Sequence, residues 1–130
     1  LTGKYKDADS MPPNRTRIRH FRGDRPGARH GEAGAEKETF EALVKIREIS
    51  DELGLPMHLV ALAWSIANSD VTCTIVGARD KAQFLDNLKV LDVELNKDIV
   101  ATLDTITEPL MKKIGLSIDL FEHREKSRCW

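Results

Sequence analysis

The segment Thr74-Ile75-Val76-Gly77-Ala78-Arg79-Asp80-Lys81-Ala82-Gln83-Phe84-Leu85-Asp86-Asn87 holds the residues best suited to chemistry. Its order is a β-branched run, a glycine, an arginine and a helix start. A helix start presents backbone N–H groups and the positive end of the helix dipole, and both attract phosphate. Gly77 lets a ligand come close to the backbone. Arg79, at the mouth of the helix, can grip a phosphate through two parallel donors. Gln83 and Asn87 are four apart and share one helical face, and their amides can read a nucleobase edge with paired donors and acceptors. The chemistry implied is binding of a phosphorylated ligand. The same residues also suit a plain strand-to-helix turn with a solvated arginine.

These groups need elements to hold them. Val71–Val76 predicts a strand by its β-branched content, the one convincing strand in the chain. Its backbone groups need partner strands that this sequence does not obviously supply. Asp80 followed by Gln83 resembles a capping box and predicts a helix to about Val90. Upstream, Ala42, Ile46, Ile49 and Leu53 predict a helix over Glu36–Leu53, widened by Phe40 and Leu43. Glu36, Glu38 and Glu41 suit its positive end, and Gly54 is placed to close it in a left-handed conformation. Pro56 fits the first position of a second helix, Met57–Asn68, whose cap residue, Leu55, has no capping oxygen. Leu59, Val60, Leu62, Ala63, Ile66 and Ala67 leave this helix almost no polar face, so burial on most sides is expected. Asn96 can cap a further helix with Ile99, Val100, Leu103 and Ile106 on its buried face, and Pro109 is expected to end it. The tail from Leu110 to Trp130 has room for one short helix over 117–126. Residues 1–35, with Pro12-Pro13, Pro26-Gly27, Gly31 and Gly34, read as loop, and a loop this long is functional or disordered.

The chain has 130 residues, 41% hydrophobic and 32% charged, which is a globular composition. No apolar run approaches the roughly 18–20 residues that span a bilayer. The net charge of -1 argues against a dedicated nucleic-acid binder. That total conceals an asymmetry. Residues 1–30 carry eight Lys/Arg against three Asp, a net +5, whereas residues 31–130 carry twelve basic against eighteen acidic side chains, a net -6. The run Arg15, Arg17, Arg19, Arg22, Arg25 and Arg29 has three readings: a solvated or self-paired loop, a lid over a cofactor or substrate, or a nucleic-acid contact. Aromatic content of 5% leaves little for base stacking.

Three motifs, in order, are similar to those of the aldo-keto reductases. Val60-Ala61-Leu62-Ala63-Trp64 matches the buried Val-Ala-Leu-Ala-Trp helix of that family. Val76-Gly77-Ala78-Arg79, followed by Gln83 and Asn87, matches the end of its last barrel strand and the helix beyond. Leu1-Thr2-Gly3-Lys4-Tyr5 matches the segment just after its seventh strand. The resemblance covers essentially the whole chain, least specifically over residues 8–35 and after Pro109. It implies an α/β fold: the C-terminal part of a (β/α)8 TIM barrel, mostly helical with one clear strand at 71–76. Residues 1–35 would be the loop after strand seven, 36–109 the helices and last strand with the phosphate site, and 110–130 a tail. The implied cofactor is NADP(H). Arg79 would hold its 2′-phosphate, Gln83 and Asn87 its adenine end, and Val76, Gly77 and Ala78 would lie along the adenosine. Leu1, Gly3 and Lys4 would flank the pyrophosphate.

The family reduces carbonyls by hydride transfer, using an aspartate, a tyrosine, a lysine and a histidine. All four belong to the first half of the barrel, and Tyr5, the one tyrosine here, sits in the wrong motif. No catalytic residue is therefore assigned, and the chain alone is expected to be inactive. Its start at Leu1, inside a motif, suggests a processed chain or a fragment of a barrel of about 250 residues. Expected partners are a small carbonyl substrate in the intact protein, and either the rest of the barrel or a second copy to pair the strand, with no nucleic acid and no membrane. The alternative function is a non-catalytic cofactor-binding or partner-binding module, as in the channel-associated regulatory subunits of the same family. His20, His30, His58 and His123 lack metal-ligand spacing, so no metal is expected. Two cysteines are too few for a disulfide framework and suggest the cytoplasm. Cys73 reads as a small buried hydrophobe, Cys129 as an exposed thiol, and Trp64 as a core residue.

Overall fold

The computed structural model describes residues 2–12 and 15–116. Four α-helices occur among them: α1 (Glu36–Glu52), α2 (Met57–Ala67), α3 (Lys81–Leu88) and α4 (Lys97–Ile114). A 3₁₀ turn, Lys89–Asp92, follows α3 directly. None of these helices is long and apolar enough to cross a membrane. The short helix predicted over 117–126, His123 and Cys129 lie outside the described residues, as does Leu1.

The helix ends follow from their capping residues. At the end of α1, Gly54 adopts φ +63°. Its N–H bonds the Asp51 carbonyl at 3.1 Å, and the Leu55 N–H bonds the Ser50 carbonyl at 3.0 Å. That pair of bonds is the Schellman closure a glycine at this position permits. Asn96 Oδ1 accepts from the Ile99 N–H at 2.9 Å at the start of α4, as predicted. Pro56 is the N-cap of α2 and not its first helical residue, and no side chain caps that end.

The chain divides into two compact units. One comprises residues up to Gly3 with Lys45–Thr105. Leu59, Ala63 and Val90 form its buried cluster, with Leu62, Val93 and Leu95 packed against them. The Trp64 indole N–H donates to Asp104 Oδ1 at 2.8 Å, so this half-buried tryptophan also links α2 to α4. The other unit comprises Lys4–Val44 with the residues from Ile106 on. Ala35, Leu110 and Ile114 form its cluster. The division falls within α1 and within α4.

Four expectations are corrected. No β-strand occurs among the described residues, and the strand predicted over Val71–Val76 does not form. β-branched residues make a strand when a neighbour supplies ladder partners. Here Val71 N–H turns back to the Asn68 carbonyl at 3.0 Å, and Ile75 is 96% exposed. Cys73, on the same uncovered segment, is exposed and free, not buried. Helix α2 is buried along one side, through Met57, Leu59, Val60 and Ala63, while Ile66 is 49% exposed. Finally, α4 continues through Pro109 to Ile114. Proline removes one helical bond, but Leu103, Leu110 and Ile114 repeat at seven and four residues and all are buried. Lys112 and Lys113 in the last turn suit the negative helix end.

Candidate functional site

The Arg79 turn begins where the uncovered segment meets α3. Asp80 is the N-cap of α3, and its Oδ1 accepts from the Gln83 N–H at 2.8 Å. Gln83 Oε1 accepts in turn from the Arg79 N–H at 2.9 Å. The predicted capping box therefore forms, displaced by one residue on its return arm. Both bonds fix the backbone from Arg79 to Gln83. The Asp80 carboxylate already occupies the Gln83 N–H, so the helix start is partly neutralised. Lys81 opens the helix, and beside it the turn carries the positive side chain of Arg79. It is exposed, and among the described residues its guanidinium makes no hydrogen bond or ion pair.

Gly77 stands in open space. A Cβ built there would meet no atom within 4 Å. The chain's own packing therefore gives no reason for glycine at this position. Val76 and Ala78 flank it, both exposed. Gln83 has committed its amide oxygen to the turn, which leaves its amide nitrogen for a ligand. Asn87 lies one helical turn further along α3 and is half-buried.

A second bond set braces α3. Asp86 Oδ1 accepts from Lys89 Nζ at 2.6 Å, and its Oδ2 lies 2.9 Å from His58 Nε2 on α2. The Lys89 ammonium, with a smaller contribution from His58, holds the Asp86 carboxyl below the usual carboxylate value. The pair ties α2 to the helix carrying Gln83 and Asn87. Sequence reading missed it because His58 and Asp86 share no local pattern.

The predicted pyrophosphate-side residues divide. Gly3 belongs to the same compact unit as Val76, Gly77, Ala78, Arg79, Gln83 and Asn87, whereas Lys4 belongs to the other. Gly3 is held by Arg47 and Met57, neither of which was singled out from sequence. Lys4 Nζ sits 5.5 Å from the centre of the Tyr5 ring, a cation–π distance. Leu1 lies outside the described residues.

In the arginine-rich loop, several guanidiniums have protein partners. Arg19 is 1% exposed. It donates to the Ile114 carbonyl at 3.3 Å and lies 3.7 Å from Glu32. Arg25 makes a two-pronged pair with Glu36 and reaches Asp9 at 2.9 Å. The Arg25 hydrogen bonds, aided by the Arg22 N–H, hold the Glu36 carboxyl below its ordinary value and Arg25 above its own. Burial, with the charge of Arg19 adding, lowers the imidazolium affinity of His20 for its proton. The self-paired reading thus describes Arg19, Arg22 and Arg25, while Arg15, Arg17 and Arg29 are exposed. Among the described residues no group of three His, Cys, Asp or Glu could hold a metal ion.

Comparison with known proteins agrees with the motif order. The model of the "Aldo/keto reductase family" matches residues 1–108. A probable voltage-gated potassium channel subunit beta of Oryza sativa subsp. japonica is 24% identical over 115 residues, covering 87% of this chain and 33% of that protein. An uncharacterized oxidoreductase, YrpG, of Bacillus subtilis is 38% identical over 64 residues, covering 49% and 20%. A putative voltage-gated potassium channel subunit beta of Schizosaccharomyces pombe is 28% identical over 114 residues, covering 88% and 29%. The chain spans between a fifth and a third of the length of these relatives.

Proposed function

Because the chain belongs to the aldo/keto reductase family, a family of oxidoreductases, we propose that it supplies the adenosine half of an NADP(H) site in a carbonyl-reducing (β/α)8 barrel. The observation that carries this reading is the Arg79 turn. Its guanidinium has no partner among the described residues, its backbone is fixed by Asp80 and Gln83, and the neighbouring Gly77 faces open space. That combination fits a dianionic ligand approaching closely.

In this reading Arg79 holds the 2′-phosphate and thereby selects NADP(H) over NAD(H). The Gln83 amide nitrogen and Asn87 meet the adenine end, and Val76, Gly77 and Ala78 lie along the adenosine. Leu1, Gly3 and Lys4 flank the pyrophosphate. The bound cofactor supplies or accepts the hydride; the residues of this chain bind and orient it. Residues 1–35 are the loop after the seventh strand, 36–109 the helices and the last-strand segment, and 110–130 the tail. No residue here matches the catalytic tetrad, so these 130 residues by themselves are expected to catalyse no carbonyl-dependent NADPH oxidation. Strand partners for Val71–Val76 come from the rest of the barrel, and the protein is cytoplasmic.

Titration of the full chain with NADPH and NADH tests the site. A charge-assisted hydrogen bond contributes about 1.5–3 kcal/mol, so Arg79→Ala is expected to weaken NADPH about ten- to hundredfold and leave NADH unchanged. An unaltered preference between the two cofactors removes Arg79 from this role.

A second reading is a non-catalytic cofactor-binding or partner-binding module. It is favoured by the relatives named as potassium channel beta subunits. A dimer or larger species on sizing chromatography supports this reading, and a compact monomer argues against it.

A further inference from the structure

We infer that Arg47 and Met57 clamp the Gly3 turn and act as positioning residues for the pyrophosphate end of the dinucleotide, an inference that rests on the cofactor reading above. Gly3 has φ +66°, a left-handed conformation that side-chain-bearing residues rarely adopt. Two helices hold it there. From α1, Arg47 Nη2 donates to the Gly3 carbonyl at 3.0 Å. From the first residue of α2, Met57 presses against the Cα: a Cβ at position 3 would lie 2.2 Å from Met57 Sδ and 2.9 Å from Arg47 Nη2. Met57 is 7% exposed, so its thioether has little room to withdraw.

The consequence follows from peptide geometry. In a trans peptide the C=O and the following N–H lie in one plane and point in opposite directions. Anchoring the Gly3 carbonyl on Arg47 therefore directs the Lys4 N–H away from that guanidinium. A donor held in one direction binds an anionic oxygen without first being ordered, which lowers the entropic cost of binding. Arg47 acts through the backbone of Gly3 and Lys4, and Met57 acts by excluding any other residue from position 3.

The test pairs two probes, NADPH and adenosine 2′-monophosphate, which lacks the pyrophosphate. Affinities of the full chain are measured for wild type, Arg47→Ala, Arg47→Lys, Gly3→Ala and Arg79→Ala. One hydrogen bond contributes about 1 kcal/mol, roughly fivefold in affinity. Arg47→Ala is expected to weaken NADPH about fivefold and leave the monophosphate unchanged. Arg47→Lys, which keeps one donor within reach of the carbonyl, restores NADPH. Gly3→Ala retains the Arg47 charge but cannot keep the turn, and it shows the same probe-selective loss. Arg79→Ala weakens both probes. Equal loss of both probes in Arg47→Ala, or no rescue by lysine, marks a merely structural role and overturns the inference. No effect of Arg47→Ala beside a normal Arg79→Ala result overturns the clamp alone. No effect of Arg79→Ala on either probe overturns the cofactor reading and the clamp with it.

Discussion

Two arginine-bearing loops of this chain look alike in sequence and partner their arginines differently. In the loop before α1, Arg19 is buried and bonded to the Ile114 carbonyl, and Arg25 is locked to Glu36 and Asp9. In the turn before α3, the polar bonds are made by Asp80 and Gln83, and the Arg79 guanidinium is spared them. A cation already paired by its own chain stabilises the fold and has little left for a ligand. A cation whose surrounding turn is satisfied without it keeps its charge for one. Counting arginines cannot separate the two cases; accounting for their partners does.

Substitutions can break or sharpen this contrast. The largest effect is expected at Arg19. Arg19→Ala leaves Glu32 and a helix-end carbonyl less well satisfied in a buried place, and should cost about 3 kcal/mol of stability. Arg79→Ala should stay within about 0.5 kcal/mol of wild type. Denaturant midpoints for the two variants decide the matter, and equal shifts would erase the distinction between the loops.

The next effect is at Glu36. Glu36→Gln should lose about 1.5 kcal/mol near neutral pH, as a hydrogen bond to a charged group is removed. The folded-state value of Glu36 is lowered by Arg25. Its contribution is therefore complete above the ordinary glutamate value and drains away as pH falls through the folded value. Wild type should lose stability over that acidic range, and the glutamine variant should lose less of it. Thermal melts from about pH 6 to about pH 2 read the difference, and parallel profiles would contradict it. The smallest effect is at Asp80. Asp80→Ala removes an N-cap and should cost about 1 kcal/mol, measured as a lowered melting temperature. A loss as large as that of Arg19→Ala would show that the Arg79 turn is as much a structural device as the first loop.

Helix ends were the most legible part of the fold. Gly54, Asp80 and Asn96 each act within a few residues of their own position, so a local pattern suffices. The placement of Pro56 is off by one residue, and the larger failures involve partners distant in the chain. Val71–Val76 has strand composition, but a strand requires a neighbour that the described residues do not provide. Pro109 carries a local stop signal that the burial of Leu110 and Ile114 overrides. The candidate site divides in the same way. The Asp80–Gln83 cap was readable, yet the capture of Gln83 Oε1 by the Arg79 N–H depends on the path of the turn. Arg47 bonds a carbonyl 44 positions away and left no signature. A glycine at position 3 was the available clue, since a residue with no side chain invites the question of what presses against it.

The uncovered Val71–Val76 segment has one more consequence, for colloidal behaviour. An unpaired run rich in β-branched residues is a template for edge-to-edge stacking. Here it is bracketed by Asp70 on one side and by Arg79, Asp80 and Lys81 on the other. Identical chains stacking in register would set Asp70 against Asp70 and Arg79 against Arg79, and like charges in line repel. These flanking residues act as gatekeepers: they leave the run open to a strand of different sequence while making a fibril of its own copies costly.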